Sequence, residues 1–313
     1  MAKWKDIGWT AIGLGAVVLS GVLLARQLEK ISLSELTDTL GSLPLAQWLL
    51  AGLASIAAYT ALAWYDRIAL RHLGRKVPGW FVGLCAFTTY ALSHNIGASV
   101  FSGALVRYRA YRSKGLTPHE IGIVIVFCAF TFTLGTITLL GGVFLLDPSL
   151  VGRLLPLTPW MSQLTGLILL SLVALYVYGS WRHFPPKTWG KFHIEYPRLG
   201  IVGRQLLAGP VELLFAAAII SIALPDAGHP GYLTVLGVFL LSFSLALVSH
   251  APGGLGVLEV TFLSAFPELP TVDVLAALIV FRILYLLIPF ALSVLVVLAF
   301  EMQQWRENRE SQP

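Results

Sequence analysis

The feature that most limits what this chain can become is a series of long apolar blocks. They lie near residues 7–25, 45–64, 79–101, 119–146, 160–178, 205–224, 232–258 and 273–300. A bilayer core about 30 Å thick takes roughly 20 apolar residues in a helix, and most of the blocks reach that length. Only 12% of the 313 residues are charged, about half the roughly 25% usual in soluble domains. A soluble globular fold and a disordered chain are both excluded. The alternating segments of a β-barrel, about ten residues each, are not seen. The chain reads as an all-α polytopic membrane protein.

The net charge is +5. Its basic residues sit in short loops between apolar blocks, so they read as topology signals and lipid-headgroup contacts and not as a nucleic-acid surface. Cys85 and Cys128 fall inside apolar blocks and read as small buried hydrophobes, with no disulfide or metal expected. The block 7–25 follows Lys3 and Lys5 and exceeds a signal-peptide core, so it is expected to be a retained first span.

Lys and Arg positions discriminate between topologies. If all eight blocks cross from a cytoplasmic N-terminus, eleven basic residues fall outside and nine inside, against the positive-inside rule. If 79–101 and 232–258 are re-entrant hairpins, 17 fall inside and three outside, with Arg282 within a span. Breakers stand where the hairpins would turn, at Asn95-Ile96-Gly97 and Pro252-Gly253-Gly254. Six full spans plus two re-entrant hairpins are therefore expected, with both termini cytoplasmic; two kinked crossing helices are the alternative.

Ser93-His94-Asn95-Ile96-Gly97 returns as Ser249-His250-Ala251-Pro252-Gly253, and Ile125-Val126-Phe127 returns as Ile279-Val280-Phe281. Both offsets are about half the chain. The spacing predicts a single membrane domain built of two repeats, 1–156 and 157–313, each with three crossings and one hairpin. An odd number of crossings inverts the second repeat. Inverted repeats with broken helices at mid-membrane are the architecture of alternating-access carriers, an analogy of fold and not of activity.

Polar residues at membrane depth are the candidate site. His94 and Asn95 stand at the first break; His250, Gly253, Gly254 and Glu259 stand at the second. Helix starts after such breaks offer free N–H groups to an anion such as phosphate. The same residues also serve as plain helix caps. Glu212 and Arg282 fall near mid-bilayer, where an ionisable group costs at least about 2.5–3.5 kcal/mol. They either pair with each other, or Arg282 meets a phosphate with Glu212 as counter-charge or amine partner. Asp66 and Arg67 lie at the end of the second span, where charge is ordinary. The run Arg107-Tyr108-Arg109-Ala110-Tyr111-Arg112 suits a headgroup layer. Thr117-Pro118-His119-Glu120 is a capping box that marks a helix start. Nucleophile-elbow, P-loop and zinc-protease motifs are absent, and no catalytic residue, cofactor or metal is expected.

Ser102-Gly103-Ala104-Leu105-Val106-Arg107-Tyr108-Arg109 resembles the Gly-Gly-x-x-x-Arg-Tyr-Arg stretch of the lysylphosphatidylglycerol synthase transmembrane family. Pro252-Gly253-Gly254-Leu255-Gly256-Val257-Leu258-Glu259 resembles that family's Pro-x-Gly-x-Gly-x-x-Glu segment. The resemblance runs from about residue 10 to 300. It implies a bacterial inner-membrane protein similar to the flippase half of the multiple peptide resistance factor. It further implies roles for Arg107, Gly253, Gly254 and Glu259 by motif, and for Asp66, Glu212 and Arg282 by span position. The family's soluble synthase domain has no counterpart here, so lysyl transfer is not expected. The leading expectation is a flippase for an anionic or aminoacylated phospholipid of the phosphatidylglycerol type. The alternatives are a secondary transporter of a small solute and a membrane scaffold partnering a lipid-synthesis enzyme.

Overall fold

The computed structural model describes residues 33–96, 99–154, 158–183, 187–189, 192–194, 196–249 and 254–310. The expected first span at 7–25, and Gly97, His250, Pro252 and Gly253 of the candidate site, lie outside the described residues. Among the described residues the regular structure is helical apart from one short antiparallel pair, β1 (Lys187–Trp189) and β2 (Phe192–Ile194).

The helices are α1 (Leu33–Ser42), α2 (Leu45–His72), α3 (Gly79–Ile96), α4 (Ser99–Arg112), α5 (Pro118–Leu146), α6 (Leu150–Leu154) and α7 (Pro159–Trp181). After the β pair follow α8 (Leu199–Ala223), α9 (Tyr232–Ser249), α10 (Val257–Ala265), α11 (Thr271–Phe281), a π-helical segment (Arg282–Leu287) and α12 (Ile288–Glu310). Among the described residues, six helices are long and apolar enough to cross a membrane: α2, α5, α7, α8, α9 and the continuous stretch Thr271–Phe300.

Local chemistry sets the boundaries. The capping box at α5 forms as expected: the Glu120 amide donates to Thr117 Oγ1 at 3.3 Å and the Thr117 amide to Glu120 Oε2 at 2.8 Å. Pro118 occupies the first turn, where its missing N–H costs nothing. Before α10, Gly254 and Gly256 take φ of +65° and +79°, a region open to glycine at little cost. Glu259 then reaches back, its Oε2 accepting from the Gly256 amide at 2.8 Å.

Packing relies on small residues, as in membrane bundles generally. Gly135 of α5 faces Gly209 of α8 so closely that a Cβ at either would lie 2.6–2.8 Å from the other's backbone. Gly141 of α5 meets Gly166 of α7 in the same way. These contacts, with Gln205 Nε2 donating to Thr131 Oγ1 at 2.9 Å, make α5 and α8 parallel. Phe130 against Tyr176 and Ser162 against the Phe144 carbonyl make α7 antiparallel to α5.

α3 and α4 form an antiparallel helical hairpin. Ser93 lies against Gly103, Tyr90 under the Arg107 guanidinium at 4.8 Å, and Phe81 beside Tyr111 and Lys114. Its base is tied to the end of α2 and the start of α5 through Arg75 and Glu120, 2.6 Å apart. This is the basic end of the bundle. The Glu120 hydrogen bond raises the Arg75 guanidinium further above its ordinary pKa.

α9 and α10 double back from the opposite, acidic end. Thr234 donates to Asp147 Oδ2 at 3.0 Å, and Gly237 lies against Leu150. On the return arm, Arg153 donates to the Ala265 carbonyl at 3.1 Å and pairs with Glu268 at 2.5 Å. That bond holds the Glu268 carboxyl below the usual carboxylate range. Both feet of this hairpin therefore stand on residues 147–153, although α9 alone has the length and composition of a span.

The bases of the two helical hairpins thus lie at opposite ends of the bundle, which gives a direct expectation for surface labelling. A cysteine at Ser113 reacts with an impermeant maleimide from one side of the membrane only, and a cysteine at Pro267 from the other. Reaction of both from the same side contradicts this arrangement.

Candidate substrate site between the hairpin tips

The tips converge on the π-helical segment. π-turns within longer helices occur frequently at functional sites because they re-aim side chains. From the first tip, Asn95 Nδ2 donates to the Leu286 carbonyl at 3.1 Å as well as to the Ala91 carbonyl at 2.8 Å. The His94 ring stacks on Tyr285, with centroids 5.5 Å apart, and meets Phe243 of α9 edge-on. His94 Nδ1 is buried without a hydrogen-bond partner in the described structure. From the second tip, the Gly254 carbonyl lies 3.5 Å from Arg282 Nη2.

Arg282 opens the π segment. Its Nε and Nη2 both donate to Glu259 Oε1, at 2.9 and 2.5 Å. The pair is partly reachable, with side-chain exposures of 14% and 8%. Glu212 of α8 lies 1% exposed and is not the partner of Arg282. Tyr285 OH donates to its Oε1 at 2.6 Å, and Tyr65 OH lies 3.4 Å from its Oε2. The expected alternative of a Glu212–Arg282 pair is corrected here. Glu259 is nearer in the chain and is carried to Arg282 by the return arm of the hairpin, while two phenols fill the space around Glu212.

A second buried ion pair lies toward the basic end. Arg107 Nη2 and Nε donate to Asp66 Oδ1 and Oδ2 at 2.7 and 3.1 Å, a two-point fork. Tyr111 OH donates to Oδ2 at 2.7 Å, and the Cys128 thiol lies 3.3 Å from Oδ1. Asp66 is fully buried and Arg107 is 5% exposed. The reading of Asp66 as an ordinary helix-end charge is therefore corrected: α2 continues to His72, and the α3–α4 hairpin covers this turn. Cys128 is more than a space-filler, since it touches a carboxylate.

Of the candidate residues, Arg282, Glu259, Gly254, His94 and Asn95 come together around the π segment. Glu212 stands behind it, joined through Tyr285. Asp66 and Arg107 form the separate pair. Sequence reading missed Tyr285 and Tyr65, and it placed Tyr111 in a headgroup layer, whereas Tyr111 is fully buried and donates to Asp66. Tyr285 had one usable signal: a phenol three residues after an intramembrane arginine needs a polar partner at that depth.

The fold and this charged layer define a multi-pass helical membrane protein with ion pairs inside its bundle. No family model matches the chain. It is 30% identical over 259 residues to the inner membrane protein YbhN of Escherichia coli strain K12, covering 79% of this chain and 78% of that one. It is also 30% identical over 253 residues to an uncharacterized protein of Synechocystis sp., covering 80% and 78%. The chain belongs to the YbhN family of inner membrane proteins. The phosphatidylglycerol lysyltransferase of Staphylococcus aureus strain COL is 24% identical over 290 residues, which cover 91% of this chain and 33% of that protein, in its membrane part.

Proposed function

We propose that this chain is a phospholipid translocase of a bacterial inner membrane, with both termini cytoplasmic. It passes an anionic or aminoacylated headgroup between leaflets while the acyl tails stay in the bilayer. The observation that carries this reading is the meeting of two hairpins from opposite ends at one charged layer, where the Arg282–Glu259 pair is partly exposed. A phosphate oxygen takes the place of Glu259 Oε1 on the Arg282 fork, whose planar donors match phosphate. The released Glu259 is then available to an amine on the headgroup. Asn95, His94 and Gly254 frame the same space, and Arg107 and Asp66 stand as a second charged station toward the basic end. Kinship with the membrane part of a phosphatidylglycerol lysyltransferase supports a lipid as cargo.

The two halves act as inverted repeats. The order span, hairpin, span runs through α2, α3–α4 and α5, and again, in the opposite direction, through α8, α9–α10 and α11–α12. Rocking of one repeat against the other opens the charged layer to each side in turn.

The test is reconstitution of Arg282 variants. A charged hydrogen bond contributes about 1.5–3 kcal/mol. Arg282→Ala should therefore slow movement of labelled phosphatidylglycerol by about tenfold to a hundredfold. Arg282→Lys should retain part of the rate, because it keeps the charge and loses the fork. Unchanged movement by a folded Arg282→Ala protein contradicts the assignment of the site.

A further inference from the structure

We propose that Glu212 is a proton-binding site whose occupancy follows the position of the two hairpin tips. Its part in transport rests on the translocase reading above; the proton site itself does not.

Among the described residues, three carboxylates are buried inside the bundle. Asp66 and Glu259 each hold an arginine. Glu212 has none: among the described residues its hydrogen-bond partners are the phenols of Tyr65 and Tyr285. Phenols donate to a carboxylate, and they also accept from a carboxylic acid.

The Tyr65 hydroxyl has two acceptors within reach, Glu212 Oε2 at 3.4 Å and the Gly209 carbonyl at 3.5 Å. It has one proton to give. With Glu212 ionised, that proton points to Oε2. When a proton binds Oε2, the new O–H donates to Tyr65 Oη, and the Tyr65 proton turns to the Gly209 carbonyl. One O–H bond forms and no group leaves. Both charge states are satisfied by the same heavy atoms, while Tyr285 continues to serve Oε1.

Tyr59 also approaches from α2, but its hydroxyl is committed to the Tyr285 carbonyl at 3.0 Å. The other elements packed on α8 commit their titratable groups elsewhere. Cys128 of α5 meets Asp66, Tyr176 of α7 meets Gln205, and Tyr232 of α9 donates to the Leu214 carbonyl. Asp273 sits in the first turn of α11.

Tyr285 connects this site to the tips. Its ring stacks on His94, and it lies in the same π segment as Arg282. A shift of either tip that draws Tyr285 away leaves the carboxylate a single phenol, so the anion loses a donor and a proton is taken up. By linkage, proton binding biases the tips in return.

Infrared difference spectroscopy of the full chain in lipid reads this directly. A protonated-carboxyl C=O band should appear and disappear reversibly with pH, be lost in Glu212→Gln, and change its midpoint in Tyr285→Phe. A band retained in full in Glu212→Gln, an unmoved midpoint in Tyr285→Phe, or no protonated carboxyl at any pH where the protein stays folded overturns the proposal. Proteoliposomes separate the two readings. A pH gradient should speed wild-type lipid movement by up to about tenfold per pH unit, and Glu212→Gln should not respond to it. A titrating Glu212 band without lipid movement keeps the proton site and removes the translocase.

Discussion

Asp66→Ala should destabilise the protein by about 3–5 kcal/mol, the cost of leaving a buried charge uncompensated. The substitution removes the acceptor of both Arg107 hydrogen bonds, of the Tyr111 hydroxyl and of the Cys128 thiol contact. Arg107 has nowhere to go for water, because its side chain is 7% exposed and its guanidinium is already seated over the Tyr90 ring. The loss should be seen as a lower midpoint of thermal unfolding in detergent and as a lower yield of monodisperse protein. Replacing both partners, as Asp66→Leu with Arg107→Met, should recover most of the stability, since apolar residues of similar volume often substitute for a buried pair at little cost. A single variant as stable as the wild type contradicts the buried pair.

Gly209→Leu should be comparably damaging, for a steric reason. A Cβ there would stand 2.8 Å from both the Gly135 Cα and the Thr131 carbonyl oxygen. Those atoms belong to a helix backbone and cannot swing aside, so α5 and α8 must separate. Overpacking against movable side chains costs about 1–3 kcal/mol; against backbone the loss should lie at or above the top of that range. The separation also breaks the Gln205–Thr131 hydrogen bond and moves Glu212, one turn further along α8, off Tyr65. Gly203→Leu is the control, since it lies on the same helix with nothing within 4 Å of the added Cβ. Equal stability of the two variants removes the close α5–α8 crossing from this account.

Much of the architecture was readable in the chain because membranes constrain it so strongly. Apolar length gave most of the spans, and the breakers at Asn95-Ile96-Gly97 and Pro252-Gly253-Gly254 stand where α3 and α9 end. Thr117 and Glu120 marked a helix start that the structure places at Pro118. Which face of each helix turns inward was not readable, because a span apolar all round has no amphipathic stripe.

Charge partners were not readable either. Asp66 and Arg107 lie 41 residues apart, and Tyr285 and Glu212 lie 73 apart. Only the close packing of glycine-lined helices and the fold of each hairpin bring them together. The pairing of Glu212 with Arg282, one of the two readings of those residues, failed for that reason: two ionisable groups at similar depth are natural partners only when no third group is nearer. Glu259 was nearer, 23 residues from Arg282 and on the arm that turns back toward it.

The most direct test of the central claim is lipid movement by the wild-type protein alone. Purified protein is reconstituted into vesicles containing headgroup-labelled phosphatidylglycerol or its lysyl ester, and an impermeant quencher reports exposure of the inner leaflet. The translocase account predicts loss of inner-leaflet signal at a rate that rises with the number of protein copies per vesicle and falls in Arg282→Ala. Signal no different from protein-free vesicles for both lipids, with the protein folded and inserted and a pH gradient imposed in either direction, contradicts it.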